Sequence, residues 1–190
     1  MQIKTKRLIL RPPGMTDWKD LMEGVGNIDV AKMLSKVPHP YSKKDAVSYL
    51  KKVEKRWKQK KMDDYTFYLE LKNEKKVIGA IGIHGIDFFS GCGTTGSWVN
   101  KKYWRNGYMT EAKIAVNDFA FNKLKLRRLN SQVYKENKAS NATQKKMGYK
   151  LEGTQRKREK ALSTGKIHDV NIYGLLKEDW VKARKKFNLV

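Results

Sequence analysis

Trp104-Arg105-Asn106-Gly107-Tyr108-Met109-Thr110-Glu111-Ala112 stands between two different hydrophobic periods. Before it, Ser97-Trp98-Val99-Asn100 reads as a short strand. After it, Gly107 opens a long helix whose buried side holds Ala112, Ala115, Val116, Phe119, Ala120 and Leu124. A glycine turn between a strand and a helix can hold a pyrophosphate. The first N–H groups of the helix lack partners, its dipole favours negative charge, and glycine lets the backbone come close. Taken alone, Gly107 is more often an ordinary turn residue.

A second glycine cluster, Gly91-Cys92-Gly93-Thr94-Thr95-Gly96, fits G-x-G-x-x-G. A dinucleotide loop must follow a strand and open directly into a helix. These glycines run instead into the strand at Ser97, so the segment reads as a glycine-rich loop over 85–96.

Working outward, Ile3, Leu8 and Leu10 mark a first strand that Pro12, Pro13 and Gly14 end at Arg11. Thr16 and Asp17 can cap a short helix to about Met22, and Asn27 another to Ser35. Ser42 with Asp45 resembles a capping box, followed by Ala46, Leu50, Val53 and Trp57 on one helical face. Tyr65 to Leu71 and Val77 to Ile83 form a hairpin across Asn73-Glu74-Lys75-Lys76. Arg128 to Tyr134 is a strand, Ser140 to Lys146 a short helix, and Tyr149 to Leu162 and Ile167 to Leu176 a closing hairpin around Ser163-Thr164-Gly165. The order is mixed α/β in one domain, residues 1–190, with hairpins at both ends of a strand-helix-strand unit.

Composition narrows the function classes. No apolar run approaches the roughly 20 residues of a membrane span, and the opening residues lack a secretory core, so a cytoplasmic protein with no membrane partner is expected. The single cysteine, Cys92, excludes an internal disulfide, and no metal-ligand spacing surrounds it. His39, His84 and His168 lie at no ligand or triad spacing, and Trp18, Trp57 and Trp180 read as packing aromatics. Forty-two Lys and Arg against nineteen Asp and Glu give a net charge of +23. The surface therefore draws in polyanions. The charge is spread over Lys51 to Lys61, Lys123 to Arg128, Arg156 to Lys160 and Lys182 to Lys186. It therefore permits nucleic acid as a partner without specifying it.

The segment around Gly107 resembles the acyl-CoA turn of the GNAT acetyltransferase superfamily, Q/R-x-x-G-x-G/A. Trp104 stands at the first position, where the RimJ/RimL branch often has an aromatic, and Met109 where Gly or Ala is usual. Other blocks of that branch follow in order: Thr5 to Arg11, Gly96-Ser97-Trp98-Val99, Asn137-Lys138-Ala139-Ser140-Asn141-Ala142, Lys146-Met147-Gly148-Tyr149-Lys150-Leu151-Glu152-Gly153 and His168-Asp169-Val170-Asn171-Ile172-Tyr173. The spacing from Ser140 to His168 is most like that of the ribosomal-protein-serine acetyltransferases in the branch.

This resemblance implies a GNAT fold: a twisted, mostly antiparallel mixed sheet, flanked by helices, whose strands 97–100 and 129–134 splay to admit a thioester. It implies acetyl-CoA as co-substrate without a metal. Arg105, Asn106, Gly107, Tyr108, Met109 and Thr110 would hold the pyrophosphate. The backbone of Trp98, Val99 and Asn100 would pair with the pantetheine arm, and Asn137 and Lys146 would complete the CoA site. The amine would attack the thioester directly, with a strand N–H stabilising the oxyanion, Ser140 protonating the leaving thiolate and Glu159 accepting the amine proton. Considered alone, Ser140 is a helix N-cap and Glu159 a surface carboxylate. The branch often carries a glutamate near Thr94, absent here.

The implied acceptor is the N-terminal amine of a protein, with an acidic ribosomal stalk protein foremost. An α-amine of pKa about 7.7–8.0 loses its proton at pH 7 for ~1 kcal/mol, against about 4.6 kcal/mol for lysine, so one modest base suffices. A polyamine or aminoglycoside acceptor is disfavoured by charge repulsion, and a non-catalytic RNA- or ribosome-binding role is the alternative from another class. A homodimer is left open.

Overall fold

The computed structural model describes residues 1–59 and 62–187. The lysine run that starts at Lys51 therefore ends, at residues 60–61, outside the described residues. One eight-stranded sheet runs through the chain: β1 (Ile3–Lys4), β2 (Leu8–Arg11), β3 (Tyr65–Leu71), β4 (Lys76–Asp87), β5 (Cys92–Val99), β6 (Arg128–Tyr134), β7 (Lys150–Lys160) and β8 (Ile167–Leu176). Their order is β1-β2-β3-β4-β5-β6-β8-β7, and every pairing is antiparallel except β5 with β6. The helices are α1 (Trp18–Val25), α2 (Ile28–Ala31), α3 (Lys43–Trp57), α4 (Tyr108–Asp118), α5 (Lys138–Lys146) and α6 (Lys177–Arg184).

Alternation along the strands divides the core between the two faces of the sheet. On one face Leu8, Leu10, Phe67, Leu69 and Ile81 meet Ala112, Val116 and Ala120 of the α4 segment and Trp180 of α6. On the other, Tyr68, Val77 and Ala80 meet Leu21 and Val25 of α1 and Ala46 and Leu50 of α3. The capping box at the head of α3 is formed: Ser42 Oγ accepts from Asp45 N, and the Asp45 carboxylate accepts from Ser42 N at 2.9 Å. Gly24 decides how close α1 can lie to β5, because a Cβ there would stand 2.3 Å from the Trp98 ring.

Several boundaries differ from the sequence reading. The glycine-rich stretch 85–96 is a hairpin rather than a loop: β4 runs to Asp87, whose side chain accepts from Phe89 N and Ser90 N, and β5 begins at Cys92. Alternation is weak where glycine fills a strand, so this period was hidden. The strand expected at 97–100 is thus Cys92–Val99, and Asn100 caps the 3-10 turn Lys101–Tyr103 instead. The helix begun by Asn27 stops at Ala31, where bonds tighten to i−3 and Leu162 N takes the Ser35 carbonyl. Helix α6 was not foreseen. After Asp118 the helix widens into a π-turn, Phe119–Lys123.

Candidate active site

The parallel pairing of β5 with β6 covers only Cys92–Thr95 against Arg128–Ser131. Beyond Thr95 the strands diverge, and the β6-facing edge of Gly96 to Val99 has no strand partner. That leaves main-chain donors and acceptors available to an extended ligand carrying amides. A cleft of about 940 Å³ fills the wedge, lined by Trp98 and Val99 of β5, Val133 and Tyr134 of β6, and the start of α4. The Trp98 side chain packs into the α1 side of the core, and its carbonyl lies against Gly79 of β4.

The turn before α4 closes one end of the cleft. Arg105 (φ 63) and Gly107 (φ 77) are both left-handed, and Gly107 is the N-cap with no side chain to bond the first turn. The N–H groups at the start of α4 therefore stay available to an anion. Three contacts hold the turn from behind. Trp104 Nε1 donates to Val99 O at 2.8 Å, Arg7 Nη1 donates to Asn106 O at 2.9 Å, and the Arg7 guanidinium lies 4.3 Å from the centre of the Tyr108 ring. Glu111 anchors Arg7 and Thr5. Burial would raise its carboxyl, but these hydrogen bonds hold it below the usual carboxylate range.

Helix α5 forms the opposite wall. Its N-cap is Asn137, whose Oδ1 accepts from Ser140 N at 3.1 Å, so Ser140 is not the cap. Ser140 lines the cleft, and its Oγ has no hydrogen-bond partner among the described residues. Asn141 sets the start of the helix: its Nδ2 donates to Asn137 O at 2.7 Å and Tyr134 O at 3.0 Å. Its Oδ1 accepts from Asn171 Nδ2 and Tyr173 Oη, both at 2.8 Å. The closing-strand block His168 to Tyr173 thus positions α5 rather than a ligand.

At the far end the lining turns acidic. Glu159 of β7 lines the cleft and has no ion-pair partner among the described residues. Glu136 lines it too, but accepts from His168 Nδ1 at 2.5 Å and Lys166 Nζ at 3.2 Å. Burial would raise the Glu136 carboxyl, but bonds from the backbone, His168 and Lys166 hold it below the usual range. Near both carboxylates is Tyr134, whose phenol burial pushes up to about 12, with Glu159 and Glu136 adding to the shift. Its ring stacks on that of His168 at 4.0 Å, and Tyr134 Oη and His168 Nε2 are buried without partners. Sequence spacing missed this cluster, since Tyr134, Glu136, Glu159 and His168 come from three strands and a turn.

At the closed inner end lies a group that spacing also missed. Lys113 of α4 is 3% exposed, and its Nζ reaches Gln144 Oε1 at 3.4 Å. Burial alone pushes its ammonium down to about 8. On the helical wheel Lys113 reads as a solvated residue of a basic chain, and only the depth of the wedge reverses that.

Of the residues singled out from sequence, Trp98, Val99, Arg105, Gly107, Tyr108, Met109, Thr110, Asn137, Ser140, Lys146 and Glu159 line this one cleft. Asn100 and Asn106 do not. Asn100 is buried, donating to Glu23 Oε1 at 3.3 Å and accepting from Lys102 N, and Asn106 Nδ2 folds back on Trp104 O at 3.0 Å. The cleft is polarised. Arg105 lies in the turn and Lys138 and Lys146 on α5; Glu159 lies on β7, Glu136 just before α5 and bonded to His168 and Lys166, and a third lining carboxylate, Asp29, is paired with Lys101. Among the described residues no cluster of three His, Cys, Asp or Glu is placed to hold a metal ion, and no helix is long and apolar enough to cross a membrane.

A family model described as an acetyltransferase (GNAT) domain matches residues 7–150. N-acetyltransferase YoaA of Bacillus subtilis (strain 168), itself uncharacterized, is 27% identical over 175 residues, 92% of this chain and 96% of its own. A GNAT-family acetyltransferase structure from Bacillus anthracis is 26% identical with a TM-score of 0.78, covering 94% of this chain and 99% of that one. The ribosomal-protein-S5-alanine acetyltransferase structure from Vibrio fischeri shares the fold at 18% identity, TM-score 0.76, covering 95% and 98%.

Proposed function

Because the chain belongs to the GNAT acetyltransferase family and takes acetyl-CoA as its acyl donor, we propose that it acts as a single domain on the N-terminal α-amine of a protein, foremost an acidic ribosomal one. The observation that carries this reading is the polarity of the cleft. One end offers uncapped N–H groups, Arg105 and Lys146 to phosphates, and the other offers an unpaired carboxylate, Glu159, to an ammonium.

In this reading the pyrophosphate rests on the first turn of α4, and the pantetheine amides pair with the open edge of β5. Asn106 acts by shaping the turn rather than by contact. The thioester then lies where β5 and β6 part, and the amine comes from the β7 side. Glu159 takes the amine proton. Glu136, already engaged by His168 and Lys166, is the poorer base. The amine nitrogen attacks the carbonyl carbon, a strand N–H steadies the oxyanion, and Ser140 hands a proton to the thiolate. Holding amine and thioester together supplies much of the rate, so no covalent acetyl-enzyme is required.

The protein acceptor is supported by two things: the +23 charge, which steers an acidic partner, and the ribosomal-protein acetyltransferase among structures of the same fold. This reading puts the enzyme in the cytoplasm. The direct test is transfer to an acidic peptide with a free N-terminal serine. Acetylation of the α-amine, lost when that amine is blocked, supports the proposal, and acetylation of spermidine in preference to the peptide refutes it.

A further inference from the structure

Lys113 has no part in the mechanism above, yet it sits at the closed end of the same cleft. Three hydrogens surround its Nζ, and the described residues offer only the long contact to Gln144 Oε1. Gln144 Nε2 donates to Ser131 Oγ at 2.7 Å, which turns the amide oxygen toward the lysine. From β5, Thr95 Oγ1 is engaged with Asn130 O and Tyr149 Oη. Tyr149, its ring 5.9 Å from Nζ, is the titratable neighbour, and burial raises its phenol far above neutral pH. No carboxylate from α4, α5, β5 or β6 pairs with Nζ. Hydrogen-bond donors and positive charge are thus in surplus.

A buried ammonium without a counter-charge is costly, and packing alone would be served as well by methionine. The cost is recovered if a negative charge appears beside it during turnover. On the reading of this cleft as the acetyl-CoA site, that charge is the thiolate released when the amine displaces CoA. Ser140 and Gln144 are four residues apart, hence on one face of α5. Lys113 thus meets α5 at Gln144, about one turn from Ser140, and all three line the cleft.

We propose that Lys113 serves the leaving group: its buried, unpaired ammonium stabilises the departing CoA thiolate by its charge. As the amine nitrogen bonds to the carbonyl carbon, the C–S bond breaks and its electron pair stays on sulfur. Ser140 passes its hydroxyl hydrogen to sulfur and regains one from solvent, while the Lys113 ammonium keeps its charge throughout. A serine hydroxyl alone is far too weak an acid for this task. Burial pushes the ammonium down only to about 8, so at pH 7 it still carries the charge that makes the sulfur a better leaving group.

The test is the ionisation of the bound CoA thiol, followed by thiolate ultraviolet absorbance with desulfo-CoA as blank. In the wild type the bound thiol should ionise at lower pH than free CoA, with an acid dissociation constant raised about tenfold or more. Lys113→Met, which removes the charge and keeps the volume, should return the thiol to its free value while calorimetry shows CoA still bound. Equal ionisation in both proteins overturns the role of Lys113. No CoA binding to the wild type would instead overturn the reading of the cleft. Lys113→Gln decides the matter by the same titration if the methionine variant does not fold.

Discussion

Arg7 and Glu111, 104 residues apart, lock the turn between β1 and β2 to the head of α4: Arg7 Nε donates to Glu111 Oε2 and Arg7 N to Oε1, both at 2.7 Å. The same guanidinium reaches Asn106 O and covers the Tyr108 ring, so the pair acts on the shape of the turn. Because Arg7 is 42% exposed, its loss should cost only about 1 kcal/mol of stability or less. The larger effect of Arg7→Ala or Glu111→Gln should be on acetyl-CoA affinity, weakened about tenfold. Glu111 is held below its unfolded value, so its contribution is present above pH ~4.3 and fades as the pH falls through the folded value. Calorimetric titration of CoA into each variant, with melting curves at pH 7 and pH 4, checks both statements.

At Gly107 the backbone itself is the constraint. Its φ of 77 is one that a β-branched residue rarely adopts, although a Cβ there would meet nothing closer than Arg7 Nη2 at 3.6 Å. Gly107→Val should therefore fold with a strained or shifted turn and lose CoA binding by two orders of magnitude or so. Unchanged affinity in a folded Gly107→Val protein would take the pyrophosphate away from this turn.

Proton transfer divides between the two ends of the cleft. Glu159→Gln and Ser140→Ala should each lower kcat by ~10²- to 10⁴-fold. The Glu159 variant should suffer most at low pH, where the acceptor amine is protonated. A Glu159→Gln enzyme with the wild-type pH profile would reduce this carboxylate to a substrate contact, and Glu136→Gln would become the next variant to assay.

Lys113 makes a stability prediction with the opposite sign to most core changes. Its folded value lies below the unfolded one, so folding loses free energy wherever the unfolded lysine is charged and the folded one resists charge. Lys113→Met should stabilise the protein at pH 7 by something on the order of 1–3 kcal/mol. That advantage should shrink as the pH rises from about 8 towards 10.4. Chemical denaturation at pH 7 and pH 10 measures it.

The strand-helix-strand unit was legible because its two periods are strong: Arg128 to Tyr134 alternates, and Ala112, Val116 and Ala120 repeat at helical spacing. The splay of the central strands came only through the family resemblance, since nothing in Ser97 to Asn100 says that pairing with β6 stops at Thr95. Gly107 and Ser140 were findable because each sits in a local motif. Tyr134, Glu136 and His168 were not, because their meeting depends on the register of β6 and β8, which places Tyr134 opposite Val170. Lys113 was hidden for another reason: among forty-two basic residues, burial is what singles one out.

The acceptor is the centre of the account, and intact-protein mass spectrometry of a ribosomal extract incubated with acetyl-CoA and the enzyme tests it most directly. One acidic protein should gain a single acetyl group on its N-terminal peptide, and the gain should vanish with Glu159→Gln and fall with added salt, as screening over a Debye length of about 8 Å requires. Acetyl groups confined to lysine side chains, or appearing only on added spermidine or an aminoglycoside, would contradict it.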